Sequence, residues 1–344
     1  MSFRIGRISR KQNYQTIINY LFFQMKMKTS FFLSAVMAAG LLASCSNSEE
    51  VFNEQVTDGE HSGAQLNIVP TVSSESTETR VGFDPKTDWA AGDAMGLFMY
   101  KSSGWGDAYP RYDAQNNKST RQANSWSQAS PVYLLAEKAT IWTYYPYNQA
   151  VADGTKIPVP INVGTSVDYM WGKSTNQVSV IETDARIPMK HVLSQFVVRL
   201  KVSPEYHNDG NLTSAKLKAT ASKFATTGTM NLNDGGKITF QPTSTELTWS
   251  PNTTVPAQGQ QAVDYAAAIY PMALAAGEVS LEVVIDGATY TYAIPQITWE
   301  AGKRYIYSIT MRSNDAEIGG ENGQSVTIEG WTSTEEDITL VPVK

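Results

Sequence analysis

Gln195-Phe196-Val197-Val198-Arg199-Leu200-Lys201-Val202 decides the fold class of this chain. Phe196, Val198, Leu200 and Val202 fall at every second position with Val197, Arg199 and Lys201 between them, the period of a half-buried strand. Working outward, Leu281-Glu282-Val283-Val284-Ile285 is followed by Asp286-Gly287 and then by an apolar-polar stretch over 288–294. Asp-Gly supplies the positive φ angles of a tight primed turn, so the region reads as a hairpin. Asn233-Asp234-Gly235-Gly236, between Met230-Asn231-Leu232 and Lys237-Ile238-Thr239-Phe240, reads as a second. Further strands are expected at 94–100, 139–145, 305–311, 326–331 and 337–343, while helical periodicity is hard to find. Many short strands separated by turn signals predict an all-β chain of antiparallel sandwiches, not a parallel α/β sheet. No internal repeat is evident.

A chain of 344 residues can form two domains, each with its own core. The break is placed near Asp184-Ala185-Arg186-Ile187-Pro188, giving an N-terminal sandwich over 64–186 and a C-terminal one over 187–344. With 42% hydrophobic and 17% charged residues, the composition suits strands and turns. The net charge of -6, without a Lys/Arg cluster beyond the first dozen residues, gives no footprint for nucleic acid. His61, His191 and His207 are dispersed and the single cysteine has no partner for an intrachain disulfide, so neither a His/Cys metal cage nor a covalent staple is expected. Gly-x-Ser-x-Gly, His-Glu-x-x-His, Walker and dinucleotide motifs are missing, so no enzyme and no cofactor is expected, although scattered Asp and Glu leave a glycosidase pair open. His191, just before the apolar strand, reads as structural. Trp105, Trp126, Trp171, Tyr109 and Tyr112 lie in Gly/Ser/Asn-rich stretches, where they either stack on a sugar or host protein or plug the ends of a sandwich.

The N-terminus is an address. Residues 31–43 (FFLSAVMAAGLLA) are apolar and follow Lys26 and Lys28, the pattern of a secretory signal and too short for a membrane span. Leu42-Ala43-Ser44-Cys45 resembles a bacterial lipobox, which places signal-peptidase cleavage between Ser44 and Cys45 and lipid on the Cys45 thiol. Each buried CH₂ contributes about 0.8 kcal/mol, so two or three acyl chains anchor a protein where one is marginal. Met1, Met25 and Met27 all remain possible starts, the last two beside the signal's lysines. Residues 1–44 are thus upstream segment plus signal, and 45–63, poor in apolar residues, a tether. Glu49-Glu50 resembles the surface-export tract of Bacteroidetes lipoproteins.

Thr79-Arg80 with Phe83, Trp89-Ala90-Ala91-Gly92-Asp93-Ala94-Met95-Gly96-Leu97-Phe98, Tyr144-Tyr145-Pro146-Tyr147, Met189-Lys190-His191-Val192-Leu193-Ser194-Gln195-Phe196, Trp299-Glu300-Ala301-Gly302-Lys303-Arg304-Tyr305 and Gly330-Trp331 occur in that order. Together they resemble the Bacteroidales fimbrillins, lipoprotein pilins of major and minor fimbriae. The resemblance implies two transthyretin-like sandwiches and a lipid-anchored subunit of the outer membrane and fimbrium, with other fimbrillin subunits as partners. It also implies cleavage after an arginine, mapped here to the Arg80-Val81 bond. The displaced first strand is then 64–69, with Leu66 and Ile68 on one face, and a C-terminal strand with Ile338 and Leu340 is the candidate for exchange. Stalk, tip and anchor roles stay open, as does a non-polymerising lipoprotein that binds glycan or host protein.

Overall fold

A computed structural model describes residues 63–72, 80–111, 114–202, 206–254, 263–312, 315–317, 327–330 and 341–342. Among them every regular element is a strand or bridge. One sheet has seven strands, ordered Asn67–Val72, Asp184–His191, Met170–Lys173, Ala139–Tyr145, Ala94–Lys101, Asn117–Arg121 and Trp126–Gln128. A second runs Asp315–Glu317, Lys303–Arg312, Ser194–Val202, Val263–Ile269 and Arg80–Gly82, with Thr327–Gly330 also on Lys303–Arg312. The third runs Glu246–Trp249, Asn211–Ala219, Val279–Ile285, Ala288–Ala293 and Val341–Pro342, with Thr253–Thr254 also on Asn211–Ala219. Both expected hairpins form. Asp286 (φ 48°) and Gly287 (φ 78°) take the left-handed conformations of a primed turn between Val279–Ile285 and Ala288–Ala293. The change of sheet falls at Val192-Leu193, between Asp184–His191 and Ser194–Val202.

Two details depart from the sequence expectations. Three pairings are parallel: Asn67–Val72 on Asp184–His191, Ser194–Val202 on Lys303–Arg312, and Arg80–Gly82 on Val263–Ile269. Each joins strands far apart in the chain, linked by long crossovers that hairpin signals cannot reveal. Ser194–Val202 is also buried on both faces, not one. Phe196, Val198 and Leu200 point into one core, yet Val197 and Gln195 on the other face are just as buried and Arg199 is only 7% exposed.

Satisfied polar groups make that second face possible. Arg199 lies opposite Asp264, and its Nε and Nη2 donate to the two carboxylate oxygens at 2.5 and 2.8 Å. Gln195 lies opposite Arg304, accepts from its Nε at 2.8 Å and donates to the Phe83 carbonyl at 2.7 Å. A bidentate guanidinium-carboxylate pair offsets desolvation that either ion alone would not survive.

Three apolar clusters run through residues 59–344, which form one unit. The first fills the seven-stranded sheet with Met95, Leu97, Met99, Ile141, Ile187 and Met189. The third packs Phe196, Leu217, Leu281, Trp299 and Tyr307 between the other two large sheets. Between these lies a middle cluster: Phe98, Trp142 and Tyr144 from the first sheet meet Val197, Ala266, Ala268 and Ile306 from the second, with Phe83, Ile157, Val159 and Met230 filling the gap.

Replacing Asp264 by Ala leaves Arg199 buried without its carboxylate. The expected outcome is a loss of about 3–5 kcal/mol in urea unfolding followed by tryptophan fluorescence, much of it recovered when Arg199→Met is combined with Asp264→Leu.

Candidate functional site

The described fold opens with a segment that changes partners midway. Ala64–Gln65 pairs antiparallel with Tyr133–Leu134, whereas Asn67–Val72 pairs parallel with Asp184–His191. Leu66 sits at the break: its N–H donates to Val132 O at 2.8 Å, and the next N–H, of Asn67, donates to Thr183 O at 3.0 Å. The segment therefore links Tyr133–Leu134 to the end of the seven-stranded sheet, and Asn67–Val72 is here termed the closing strand.

Its side chains alternate as the sequence suggests. Leu66 and Ile68 are each 3% exposed and join the first cluster, Pro70 is buried and Val72 partly so, while Asn67, Val69 and Thr71 face out. Because the Asn67 N–H points into the ladder, backbone alternation turns Leu66, Ile68, Pro70 and Val72 away from it. Proline is tolerated at such an outward position, where its missing N–H costs no ladder bond. Two side chains take the outward carbonyls instead. Gln128 Nε2 donates to Leu66 O at 2.9 Å while its Oε1 accepts from the Val132 N–H at 3.0 Å. Trp89 Nε1 donates to Pro70 O at 3.1 Å.

Trp89 is itself held. Its ring meets Trp126 and Tyr145 edge-on at 5.2 and 5.3 Å, and Lys86 Nζ lies 5.8 Å above it. Lys86 pairs with Asp93 at 2.7 Å, and Asp93 accepts from the Tyr145 hydroxyl at 3.1 Å. Burial first and the Asp93 carboxylate second push the Tyr145 hydroxyl well above the ordinary phenol range, so it remains a donor. Gln128, Trp89 and Pro70 were not assigned to the site from sequence. A glutamine in a polar stretch and an indole in a Gly/Ala turn show nothing of a carbonyl they will meet across the fold.

Residues 73–79 lie outside the described set, and the chain resumes as Arg80–Gly82 on the edge of the second sheet, with Arg80 opposite Asp264 and Val81 opposite Tyr265. Phe83, fully buried in the middle cluster, donates its N–H to Ala266 O at 3.0 Å. The Arg80-Val81 bond thus separates the closing strand from a buried anchor. Ser44, Cys45, Ile338, Leu340 and Tyr112 lie outside the described residues.

The remaining aromatic candidates are packed into the fold. Tyr109 is 3% exposed, and its hydroxyl donates to Glu137 O and accepts from the Leu135 N–H, both at 2.8 Å. Trp105 lies 4.7 Å from Tyr100 and 5.3 Å from Trp142, and Trp171 lies against Gly235 and Gly236. His191 Nδ1 is 2.8 Å from Asp168 Oδ2, which also accepts from the Lys86 N–H. Among the described residues no group of three or more His, Cys, Asp or Glu could hold a metal ion.

A family model described as fimbrillin-like matches residues 79–331. A candidate fimbrium subunit of Bacteroides uniformis, Fim1C, is 27% identical over 326 residues, 89% of this chain and 96% of that protein. Two solved structures of candidate cell adhesion proteins resemble this fold. The Bacteroides ovatus protein is 18% identical, covering 80% of this chain and 100% of its own, with a TM-score of 0.58. The B. uniformis protein is 21% identical, covering 78% and 99%, with a TM-score of 0.55.

Truncating Leu66 or Ile68 to Ala should cost about 2–5 kcal/mol in denaturant unfolding, through lost burial and an unfilled cavity. Val69→Ala, on the outer face of the same strand, should stay within about 0.5 kcal/mol. Equal losses at all three positions would show that the closing strand does not fill the core.

Proposed function

The chain belongs to the fimbrillin-like family, and from that premise we propose that it is a subunit of a surface fimbrium, joined to its neighbours by exchange of a strand. The supporting observation is the closing strand. It contributes Leu66 and Ile68 to the first core, lies at the end of its sheet, and precedes Arg80 in the chain.

In this reading the protein is exported, lipidated at Cys45 and carried to the outer membrane. A protease then cuts after Arg80. Phe83 stays buried, so the body keeps its new N-terminus at Val81, while the upstream segment is left on ladder pairing, three side-chain hydrogen bonds (from Gln128, from Trp89 and from Asn67 to Asp184) and the burial of Leu66 and Ile68. Its departure opens an apolar groove between Asp184–His191 and Tyr133–Leu134. A strand from a neighbouring subunit restores both the backbone pairing and the apolar contacts, as in β-augmentation. An unfilled groove would instead be an exposed edge open to uncontrolled pairing. The working unit is two sandwich modules dividing close to Val192-Leu193, with other fimbrillin subunits as partners and an assembly role in place of catalysis.

Arg80→Ala tests this reading in cells that assemble the protein. The unaltered chain is expected to form ladders on denaturing gels of unheated material and to begin at Val81; the variant should begin at Cys45 and run as a monomer. Ladders of unchanged intensity from Arg80→Ala would remove the cut from the scheme. Cys45→Ala should shift the chain from the membrane to the soluble fraction.

A further inference from the structure

A cleft of about 780 Å³ is lined by parts of the second and third sheets, a volume within the roughly 300–1,000 Å³ of small-molecule sites. Distant stretches of the chain build it. Thr248, Trp249 and Ser250 come from the end of Glu246–Trp249, Tyr265 from Val263–Ile269, Asn162 and Thr165 from the turn after Ile157–Pro158, and Asp84 from just past the Phe83 anchor. The turn is fixed in place. The Thr165 N–H donates to Asn162 O at 2.9 Å, Ser166 Oγ accepts from the Asn162 N–H at 2.8 Å and donates to its carbonyl at 2.7 Å, and the carbonyl of buried Val163 accepts from the Ala268 N–H at 3.0 Å. The cleft is therefore preformed.

Floor and rim differ in character. Trp249 and Tyr265 are 7% and 1% exposed, whereas Asp84, Asn162, Thr165, Thr248 and Ser250 face solvent. The Trp249 ring is held edge-on against Phe196 at 5.9 Å. Its Nε1–H and the Tyr265 hydroxyl are nevertheless buried with no hydrogen-bond partner among the described residues. Burial pushes the Tyr265 hydroxyl above the ordinary phenol range, and Thr253 tempers that rise without reaching hydrogen-bond geometry, so the group stays a donor. Buried polar side chains in native proteins are in large majority satisfied. Two unsatisfied donors on residues of one cleft point to a partner that the chain does not supply.

We propose that this cleft binds a neutral saccharide. The ligand must bring acceptors to an indole N–H and a phenol, and must match a rim of hydroxyls and an amide that donate and accept alike. Sugar hydroxyls have that dual character, and the C–H faces of a pyranose suit the indole and phenol surfaces. Charge argues against the alternatives. Asp84 is the single charged residue among the described residues lining the cleft, so a phosphate, sulfate or carboxylate would meet a like charge and no cation. A cationic ligand would gain only one solvent-screened carboxylate. None of these residues belongs to the closing strand, so the proposal holds with or without strand exchange.

Calorimetric titration of the full chain, in a detergent without a sugar headgroup, with lactose, cellobiose, N-acetyllactosamine and chitobiose tests the site. At least one of these sugars is expected to bind with a dissociation constant of order 1 mM or tighter. Tyr265→Phe and Trp249→Phe each keep a ring and remove a donor, and each should weaken that sugar about fivefold, the worth of one hydrogen bond. Tyr265→Phe should leave the urea midpoint unchanged or raised, because its hydroxyl has no bond within the protein to lose. A lowered midpoint would show the hydroxyl to be bonded internally and take it out of the site. Thr165→Trp, on the exposed rim, should fill the cleft and abolish binding in a chain that still unfolds cooperatively, while Arg80→Ala should bind as the unaltered chain does. Failure of all these sugars to bind, or binding that survives both Thr165→Trp and Tyr265→Phe, would overturn the saccharide site; ladders that still form in such material would leave the fimbrial reading standing.

Discussion

Buried backbone must be paired, and at the edge of the seven-stranded sheet residues 64–72 meet that requirement by pairing with Tyr133–Leu134 and Asp184–His191. Interior strands such as Ala139–Tyr145 have a ladder on each side. The closing strand has one, with Asp184–His191, and its other edge is met by an indole and a carboxamide at Pro70 and Leu66. Those donors recognise carbonyls, not side chains, so whatever strand lies there satisfies them if its phase is right. The groove is thereby specific for a pattern of faces and indifferent to chain identity, a suitable property for a joint between separate molecules.

The same requirement bears on the proposed exchange, in which the groove is vacated while the body stays folded. The middle cluster ties the first sheet to the second through Phe98, Trp142 and Tyr144 on one side and Val197, Ala266 and Ile306 on the other, and the closing strand takes no part in it. Nor does it touch the polar belt of Arg199, Asp264, Gln195 and Arg304. Phe83 belongs to this inner layer, downstream of Arg80 by three residues, so in the proposed scheme the Arg80-Val81 bond divides the strand that leaves from the body that stays.

Much of this was legible in sequence because period-two alternation and Asp-Gly turns are local signals. The hairpin around Asp286-Gly287 and the strand at 139–145 follow from them, and the alternation of Leu66 and Ile68 could be seen once the resemblance had drawn attention to 64–69. What escaped is non-local. The second buried face of Ser194–Val202 looks polar because Arg199 and Gln195 look polar until Asp264, Arg304 and the Phe83 carbonyl are placed against them. Parallel pairing leaves no turn between its strands.

In the proposed exchange, a donor strand that offers the groove no better contacts than the strand already there would meet a thermodynamic problem. Connectivity resolves it. While the chain is continuous, the short link between Val72 and Arg80 holds the resident strand at an effective concentration of order millimolar, so an equivalent strand from another molecule at micromolar concentration competes at a disadvantage of about a thousandfold, roughly 4 kcal/mol. In the proposed scheme, hydrolysis of the Arg80-Val81 bond would erase that advantage without altering a single contact in the groove. The resident segment would then dissociate and dilute, whereas a donor strand would remain fastened to a folded body that makes further contacts of its own. On that scheme direction comes from the cut, and recognition can stay degenerate.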